Sequence, residues 1–202
     1  DERESRARIG QLFDATRAGN ERDAALARLE SLRNGDGGWP WFPGGSTCDS
    51  VTLGILAGFG RLRAAGALKE VQPALATLPW LDARLVEERR RAEKLWPDGK
   101  EGLVLTDIGV YAVYARSFFT QDSPPQGDAA AAIEWAFDVG RKSWMKLDAR
   151  RSQGHLAIAL ARSGDRATAL SIVDSLRQRA VDADVKPAAQ PRDENDSWQG
   201  MW

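Results

Sequence analysis

The sequence contains very few of the side chains that build metal sites and disulfides. Its 202 residues include one cysteine, Cys48, and one histidine, His155. A single cysteine excludes an intramolecular disulfide, and one residue of each kind cannot form a His/Cys zinc cluster. The trio of Cys48, Asp49 and His155 lacks the local ligand pairs that are typical of zinc sites. We therefore expect no bound metal ion, and no motif predicts another cofactor.

Long apolar runs and an excess of charge of one sign are also missing. No stretch approaches the roughly 20 apolar residues that cross a bilayer, so we expect no direct membrane contact from this segment. Lys and Arg total 28 against 29 Asp and Glu, which gives a net charge of -1. With no basic stripe interleaved with aromatic residues, this charge argues against a nucleic-acid partner. The 43% content of hydrophobic residues is that of a globular protein.

The two ends of the sequence suggest that more chain belongs to this protein. The sequence begins at Asp1 in a charged, helix-like stretch and ends on an apolar cluster that closes with Trp202. We interpret these ends as the mark of a fragment from a larger multidomain chain. Residues 1–202 are expected to form a single helical domain, with a polar, mobile loop at residues 181–197.

Apolar residues spaced three and four apart run through most of the sequence. This spacing predicts about eight helices and no confident strand. Short turns separate successive helices, so neighbours should be antiparallel. The predicted fold class is all-α, built from stacked antiparallel helical hairpins. The predicted helices cover residues 3–18, 21–33, the segment after the caps to about 65, 68–95 with an interruption, 104–119, 128–144, 149–163 and 165–180.

Glycine and proline set several expected helix boundaries. Gly19-Asn20 is expected to separate the first two helices as a hairpin turn. Gly66 is expected to end the helix that precedes it. Pro73 fits a first helical turn, whereas Pro79 is expected to break or kink its helix.

The helix that ends before Gly66 has two further features. Its N-terminal cap is expected among Ser46, Thr47 and Asp49, whose side chains can accept a backbone hydrogen bond. It also carries several glycines, each of which costs about 1 kcal/mol relative to alanine. We therefore expect a neighbouring helix to approach closely at the glycines, which are Gly54, Gly58 and Gly60.

One segment interrupts the helical pattern completely, and we call it the Gly/aromatic loop (residues 34–45). It holds five glycines, two prolines and three large aromatic residues. We predict an ordered loop that is held by burial of its aromatic rings, because a flexible linker would lack them. It is either a packed structural corner or a recognition loop. The residues expected to define it are Asp36, Gly37, Gly38, Trp39, Trp41, Phe42, Gly44 and Gly45.

No group of polar residues forms a recognisable catalytic motif. His155 with Cys48 or a serine lacks a third orienting group, and no Gly-x-Ser-x-Gly elbow is present. Residues 35–38 lack the Lys-Ser/Thr that completes a phosphate-binding loop. Four acidic residues could meet only through the fold, namely Asp36, Asp49, Asp107 and Glu134. We therefore predict no catalytic residue and a protein that is not an enzyme.

The Gly/aromatic loop and its surroundings resemble a known family. The run from Leu29 to Gly45 is similar to the LQ-x-x-DGGW-x-WF-x-G segment of bacterial alpha-2-macroglobulin-like proteins. The run from Val51 to Leu62 is similar to the S-x-x-[IV]T-x-x-[IV]-x-x-G-x-x-x-L helix of that family. Later segments resemble the family in the same order, at residues 116–119, 154–165 and 200–202.

This resemblance implies part of a thioester-type helical domain with an α/α toroid fold. In the family, the domain belongs to a protease trap that closes around a protease after bait cleavage. Members are typically periplasmic and often lipid-anchored. The implied partners are other domains of the same chain and, through the full-length protein, target proteases. The family's thioester motif is Cys-x-Glu-Gln, whereas Cys48 is followed by Asp49, Ser50 and Val51, so we assign no thioester residue.

Two alternatives remain open. The hairpin from residue 150 to residue 180 has features of a tetratricopeptide repeat, which would suit a helical-repeat interaction scaffold, although no fixed period recurs. Terpene cyclases and prenyltransferases carry repeats similar to Asp-Gly-Gly-Trp on the same toroid fold. An enzyme of that kind needs an acidic cluster or a zinc trio, and the sequence presents neither.

Overall fold

A computed structural model of the chain describes residues 15–96 and 103–185. Over these ranges the protein consists of seven α-helices and one 3-10 turn, and the only extended pairing is an isolated bridge between Pro40 and Thr47. The predicted all-α class is confirmed. The helices are α1 (Ala15–Ser31), α2 (Asp49–Ala64), α3 (Gln72–Leu95), α4 (Asp107–Arg116), α5 (Gly127–Ser143), α6 (Arg150–Arg162) and α7 (Arg166–Val185), with the 3-10 turn at Trp144–Lys146.

Helix α4 lies at the centre of the described part of the protein. It contacts α2, α3, α5 and α6, and nearly every residue from Gly109 to Arg116 is buried. Apolar residues lie on both faces of this stretch, with Ile108 and Ala115 on one and Tyr114 on the other, so the sequence predicts a helix that is buried almost all round, and the structure confirms it. Ile108 is an exception, because it belongs to the predicted apolar face but is 40% exposed. Across the described ranges, no helix combines the length and apolarity that a membrane span requires.

The C-terminal hairpin forms as predicted. Helices α6 and α7 pack together and are joined by a turn in which Gly164 has a φ of +97°. Asp165 caps α7, since its Oδ1 accepts from the backbone N–H of Thr168 at 3.1 Å. Helix α7 continues to Val185. The predicted loop at residues 181–197 is therefore wrong for 181–185, and the rest of it lies outside the described residues.

The predicted hairpin at the N-terminus is wrong. Helix α1 runs through Gly19 and Asn20 without interruption. The cost of one helical glycine is about 1 kcal/mol, and the ion pair from Arg17 to Glu21 at 2.9 Å spans the glycine. Packing of Leu26 and Leu29 against the core holds the same helix further along. The earlier part of the predicted first helix lies outside the described residues.

Helix α3 starts as predicted but does not break where expected. Pro73 lies in its first turn. Pro79 sits inside the continuous helix and is exposed, so water can bind the carbonyl that its ring leaves free. Trp80 and Leu81, which follow it, are buried in the core. Pro97, Asp98 and Gly99 also predict a turn after this helix, but they lie outside the described residues.

Helix α2 begins without a side-chain cap but ends at a typical glycine stop. Its N-cap is Cys48, without a side-chain cap, and none of the three predicted residues takes that position. The hydroxyl of Thr47 bonds within the loop instead, and Asp49 is already helical and lies 3.3 Å from Arg84. At the other end Gly66 has a φ of +73°, so the predicted stop is confirmed.

The glycines of α2 differ in what surrounds them. A Cβ on Gly60 would lie 2.2 Å from Cγ of Phe118, whereas one on Gly58 would meet nothing within 4 Å. A Cβ on Gly54 would be 3.9 Å from the Tyr111 hydroxyl. The expected close approach therefore occurs at Gly60 alone, and the neighbour is an aromatic ring just after α4 rather than a helix backbone.

Candidate functional site

The Gly/aromatic loop is closed at its base by hydrogen bonds. The backbone N–H of Asn34 donates to the Gly38 carbonyl at 2.8 Å. The side-chain amide of Asn34 donates to the Gly45 carbonyl at 3.1 Å and to Thr47 Oγ1 at 3.0 Å. One asparagine therefore joins both ends of the loop, which fixes its span.

Asp36 organises the turn inside this ring of hydrogen bonds. Its Oδ1 accepts from Thr47 Oγ1 at 2.7 Å and from the Gly38 N–H at 3.1 Å. Gly37 between them has a φ of +94°, which is the Asp-Gly turn that the sequence predicts. These bonds favour the carboxylate, and the one from Thr47 is the main cause that lowers the pKa of Asp36 below its usual value.

Gly38 and Gly44 of the loop also have geometric reasons, whereas Gly35 has neither a positive φ nor a neighbour within 4 Å of an added Cβ. A Cβ on Gly38 would lie 2.2 Å from Cγ2 of Thr47, so no larger residue fits without displacing the loop base. Gly44 has a φ of +81° and forms the second turn, in which the Gly45 N–H donates to the Phe42 carbonyl at 3.0 Å. Positive φ angles thus explain Gly37 and Gly44, and the close contact with Thr47 explains Gly38.

Trp39 connects the loop to both flanking helices. Its ring is 1% exposed, as predicted. The indole Nε1 donates to the Leu29 carbonyl of α1 at 2.8 Å, and the Trp39 backbone bonds the Thr52 hydroxyl of α2. This residue therefore fixes α1 and α2 at one relative position.

The other two aromatic residues do not hold the loop, so that part of the prediction is wrong. Trp41 is 76% exposed and Phe42 is 63% exposed. The Phe42 ring covers Gly45, where a Cβ would be 3.1 Å away, rather than entering the core. Hydrogen bonds at the loop base replace the burial that was expected of these rings, and the tip of the loop presents two apolar side chains to solvent.

The four acidic residues considered for acid–base chemistry are not brought together. Asp36 bonds Thr47 within the loop, and Asp49 pairs with Arg84. Asp107 accepts from Ser152 Oγ at 2.5 Å, and Glu134 is an exposed residue of α5. The four carboxylates lie in separate places, so they do not form a shared acid–base site.

His155 is half-buried against two tyrosines of α4. Its ring stacks on Tyr111 at 4.9 Å and on Tyr114 at 4.4 Å between centroids. Burial is the main cause that lowers the pKa of His155, and the positive charges of Arg151 and Arg61 add to it. This stack explains the histidine by packing. In the portion of the chain that is described, no three His, Cys, Asp or Glu residues are placed to hold a metal ion.

Sequence reasoning missed a buried arginine. Arg116 is 2% exposed, and its Nε donates to Oδ1 of Asp82 at 2.6 Å, which ties α4 to α3. A second bond runs from Nη2 to the Ser123 carbonyl at 2.8 Å. One signal was available, namely an arginine at the end of an otherwise apolar helix, but its partner is 34 positions away and nothing local indicates it.

Comparisons of the chain with protein-family models, with curated proteins and with solved structures give no match. The interpretation of the Gly/aromatic loop therefore rests on its residues and its geometry.

Proposed function

We propose that the chain is a non-enzymatic helical domain of a bacterial alpha-2-macroglobulin-like, protease-trapping inhibitor, without a thioester motif in this segment. The observation that carries the proposal is the Gly/aromatic loop. Its closest match to the family segment is the run Asp36, Gly37, Gly38 and Trp39. Each of these residues has a conformation or a contact that the loop geometry requires. A motif that is needed for one backbone geometry is a stronger basis for resemblance than composition alone.

A mechanical role suits this geometry. Trp39 bonds the Leu29 carbonyl at the end of α1 and the Thr52 hydroxyl in the first turn of α2. A rigid corner of this kind can transmit a movement of one helix to the next, because packed elements shift as units. A domain that closes with its neighbours after bait cleavage needs such corners.

The wider expectations belong to the same proposal. The helical hairpins would form part of an α/α toroid, and the protein would act in the periplasm, lipid-anchored as in many family members. Its partners would be other domains of the same chain and target proteases that the full-length protein engages. The exposed Trp41 and Phe42 are available for contact with a neighbouring domain, since such contacts favour aromatic residues.

The test uses the full-length protein that contains this segment. Incubation with a panel of proteases should give one limited cut and a shift in electrophoretic mobility. A trapped protease should still cleave a small peptide substrate but lose activity on a large protein substrate. A Trp39→Ala variant should be cut at the same place yet trap less protease, whereas Met145→Ala, at a side chain that is 75% exposed, should keep the closure.

The outcome that counts against the proposal is equally clear. The proposed trap function is wrong if no protease causes a mobility shift and every protease keeps its activity on large protein substrates. The full-length gene offers an independent check, because upstream β-sandwich domains and a lipoprotein signal are expected. Their absence would also reject the proposal.

A further inference from the structure

A pocket of about 370 Å³ is formed jointly by α2, α4 and α6. Helix α4 packs against both of the other two helices, so side chains from three separate parts of the chain meet there. We call it the basic pocket, because two arginines and the single histidine line it. Its principal lining residues are Arg61 from α2, Asp107, Ile108 and Tyr111 from α4, and Arg151 and His155 from α6.

The two arginines of the basic pocket lack the carboxylate partner that most arginines of this protein have. Arg63 and Arg141, for example, pair with acidic side chains at 2.8 Å. Within residues 15–96 and 103–185, neither Arg61 nor Arg151 takes part in an ion pair or a side-chain hydrogen bond. Both are exposed, so their guanidinium groups are accessible to a ligand from solution.

The charges of these two arginines act on the same imidazole. Burial is the main cause that lowers the pKa of His155, and the positive charges of Arg151 and Arg61 add to it. Both arginines therefore lie near the histidine, although they belong to different helices. Like charges in one place repel each other and cost folding free energy. An anion bound between them would remove this repulsion.

The histidine and a tyrosine supply further polar groups at fixed positions. The His155 ring is held by its stacking on Tyr111 and Tyr114, so its nitrogen atoms keep one orientation. The hydroxyl of Tyr111 reaches across to α2, where it lies 3.9 Å from the position of a Cβ on Gly54. Neither side chain forms a hydrogen bond to another described residue, so both can donate to a ligand.

One carboxylate opposes the positive charge of the pocket. Among the described lining residues Asp107 alone is acidic, and its Oδ1 accepts from Ser152 Oγ at 2.5 Å. Two guanidinium groups therefore outnumber one carboxylate. Asp107 and Arg151 lie in the first turns of α4 and α6, where the helix dipole is positive and does not oppose an anion. The surroundings as a whole favour a negatively charged ligand.

We propose that the basic pocket binds a phosphate group, either as free phosphate or as the phosphate of a small ester. Its oxygens accept from Arg61 and Arg151, and His155 and Tyr111 add hydrogen bonds. Phosphate oxygens point in several directions, so they can accept from guanidinium groups on two helices, whereas a planar carboxylate suits a single guanidinium fork. Ile108 is 40% exposed and offers an apolar contact to the body of an ester. This site is independent of the proposed protease trap.

The first test measures binding to the full chain by calorimetry with phenyl phosphate, inorganic phosphate and benzoate. Phenyl phosphate should bind with a Kd of about 1 mM or tighter, and benzoate should bind at least about tenfold more weakly. Tighter binding of phenyl phosphate than of inorganic phosphate identifies an ester as the ligand, and equal or weaker binding identifies free phosphate. The proposal fails if neither phosphate compound binds, or if benzoate binds as tightly as phenyl phosphate.

Substitutions then locate the ligand. Arg61→Gln and Arg151→Gln should each weaken phosphate binding about tenfold. Arg150→Gln is the matched control, because it removes the same charge one residue earlier in α6, from a side chain outside the pocket lining, and should change the Kd less than about threefold. Asp107→Asn should tighten binding, since it removes the opposing charge. Equal losses in Arg150→Gln and Arg151→Gln would overturn the site, because a general surface charge would then explain the binding.

The histidine gives a readout from inside the pocket. His155 is the only histidine of the chain, so its NMR titration can be assigned without ambiguity. Saturating phenyl phosphate should raise the pKa of His155 by about one, because a bound anion offsets the charges of Arg151 and Arg61. Bound ligand with an unchanged pKa of His155 would place the phosphate elsewhere and reject the proposal.

Discussion

The hydroxyl of Thr52 bonds both backbone polar groups of Trp39. Thr52 Oγ1 accepts from the Trp39 N–H at 2.8 Å and donates to the Trp39 carbonyl at 3.2 Å. Thr52 is completely buried, so water does not replace these bonds. A side chain of α2 thereby supplies the pairing that a neighbouring strand would give in a sheet.

This relationship predicts the effect of removing the hydroxyl. Thr52→Val keeps the shape but leaves the Trp39 N–H buried and unpaired, so it should lower the free energy of unfolding by about 1–3 kcal/mol. The Trp39 carbonyl is less affected because it also accepts from the Cys48 N–H. Thr52→Ser should retain most of the stability. Chemical denaturation of the three proteins measures the difference, and equal stability of Val and Ser variants would contradict the prediction.

Trp39 and Trp41 form a matched pair within one loop. Trp39→Ala should destabilise the protein by about 3–5 kcal/mol, because the ring is 1% exposed. Trp41→Ala should change stability by less than about 0.5 kcal/mol, since its ring is 76% exposed. Urea unfolding monitored by circular dichroism separates the two. A small effect at Trp39 would mean that its ring is exposed in solution.

Two glycines of α2 should respond in opposite directions to the same substitution. Gly60→Ala places a methyl group 2.2 Å from the Phe118 ring and should cost about 1–3 kcal/mol. Gly58→Ala meets open space and should stabilise the helix by up to about 1 kcal/mol. Thermal unfolding of both variants tests this. If both substitutions stabilise the protein, Phe118 does not pack against Gly60.

The pair of Arg116 and Asp82 should be more costly to break than to replace. Asp82→Ala leaves a buried guanidinium without its carboxylate and should cost about 3–5 kcal/mol. The double variant Asp82→Leu with Arg116→Met should recover much of that loss, because it removes both charges. Denaturation midpoints provide the measurement. As a control, Glu87→Gln disturbs only exposed pairs, with Arg84 and Arg91, and should cost less than about 1 kcal/mol.

His155 should make stability depend on pH. Burial, together with Arg151 and Arg61, lowers its pKa in the folded protein. In the unfolded chain the histidine side chain has a pKa near 6.5. The unfolded state therefore binds the proton first, and stability should fall as pH decreases from about 6.5 toward the lower folded pKa.

The measurement is direct because His155 is the only histidine. Its NMR titration gives the folded pKa, and unfolding free energies between about pH 5 and 7.5 give the slope. His155→Gln should remove most of this slope, and Arg151→Gln should raise the pKa toward its usual value. A folded pKa above 6.5 would reverse the sign and contradict the prediction.

Local patterns were sufficient for several parts of the fold. The hairpin of α6 and α7, the stop at Gly66 and the Asp-Gly turn at Asp36 all follow from short-range rules, in which neighbouring residues decide the outcome. The burial of α4 could also be predicted from the sequence, because apolar residues occupy all faces of this helix. Burial of Trp39 was predicted from its size and its setting.

Other predictions failed because tertiary contacts outweighed small local preferences. A glycine in a helix costs about 1 kcal/mol, which packing of α1 and a single ion pair can offset at Gly19. Pro79 is tolerated because its side of α3 faces water. Trp41 and Phe42 are large aromatic residues like Trp39, yet the path of the loop leaves their side chains exposed to solvent.

The sequence by itself determined the helical class, the C-terminal hairpin and the glycines that the Gly/aromatic loop requires, since these depend on backbone conformation within a few residues. Only the tertiary structure decided which aromatic ring is buried, where α2 is approached closely, and which carboxylate meets Arg116. Asp82 and Arg116, like Gly60 and Phe118, are far apart in the chain. Their contacts depend on how whole helices pack, and short-range periodicity carries no information about that.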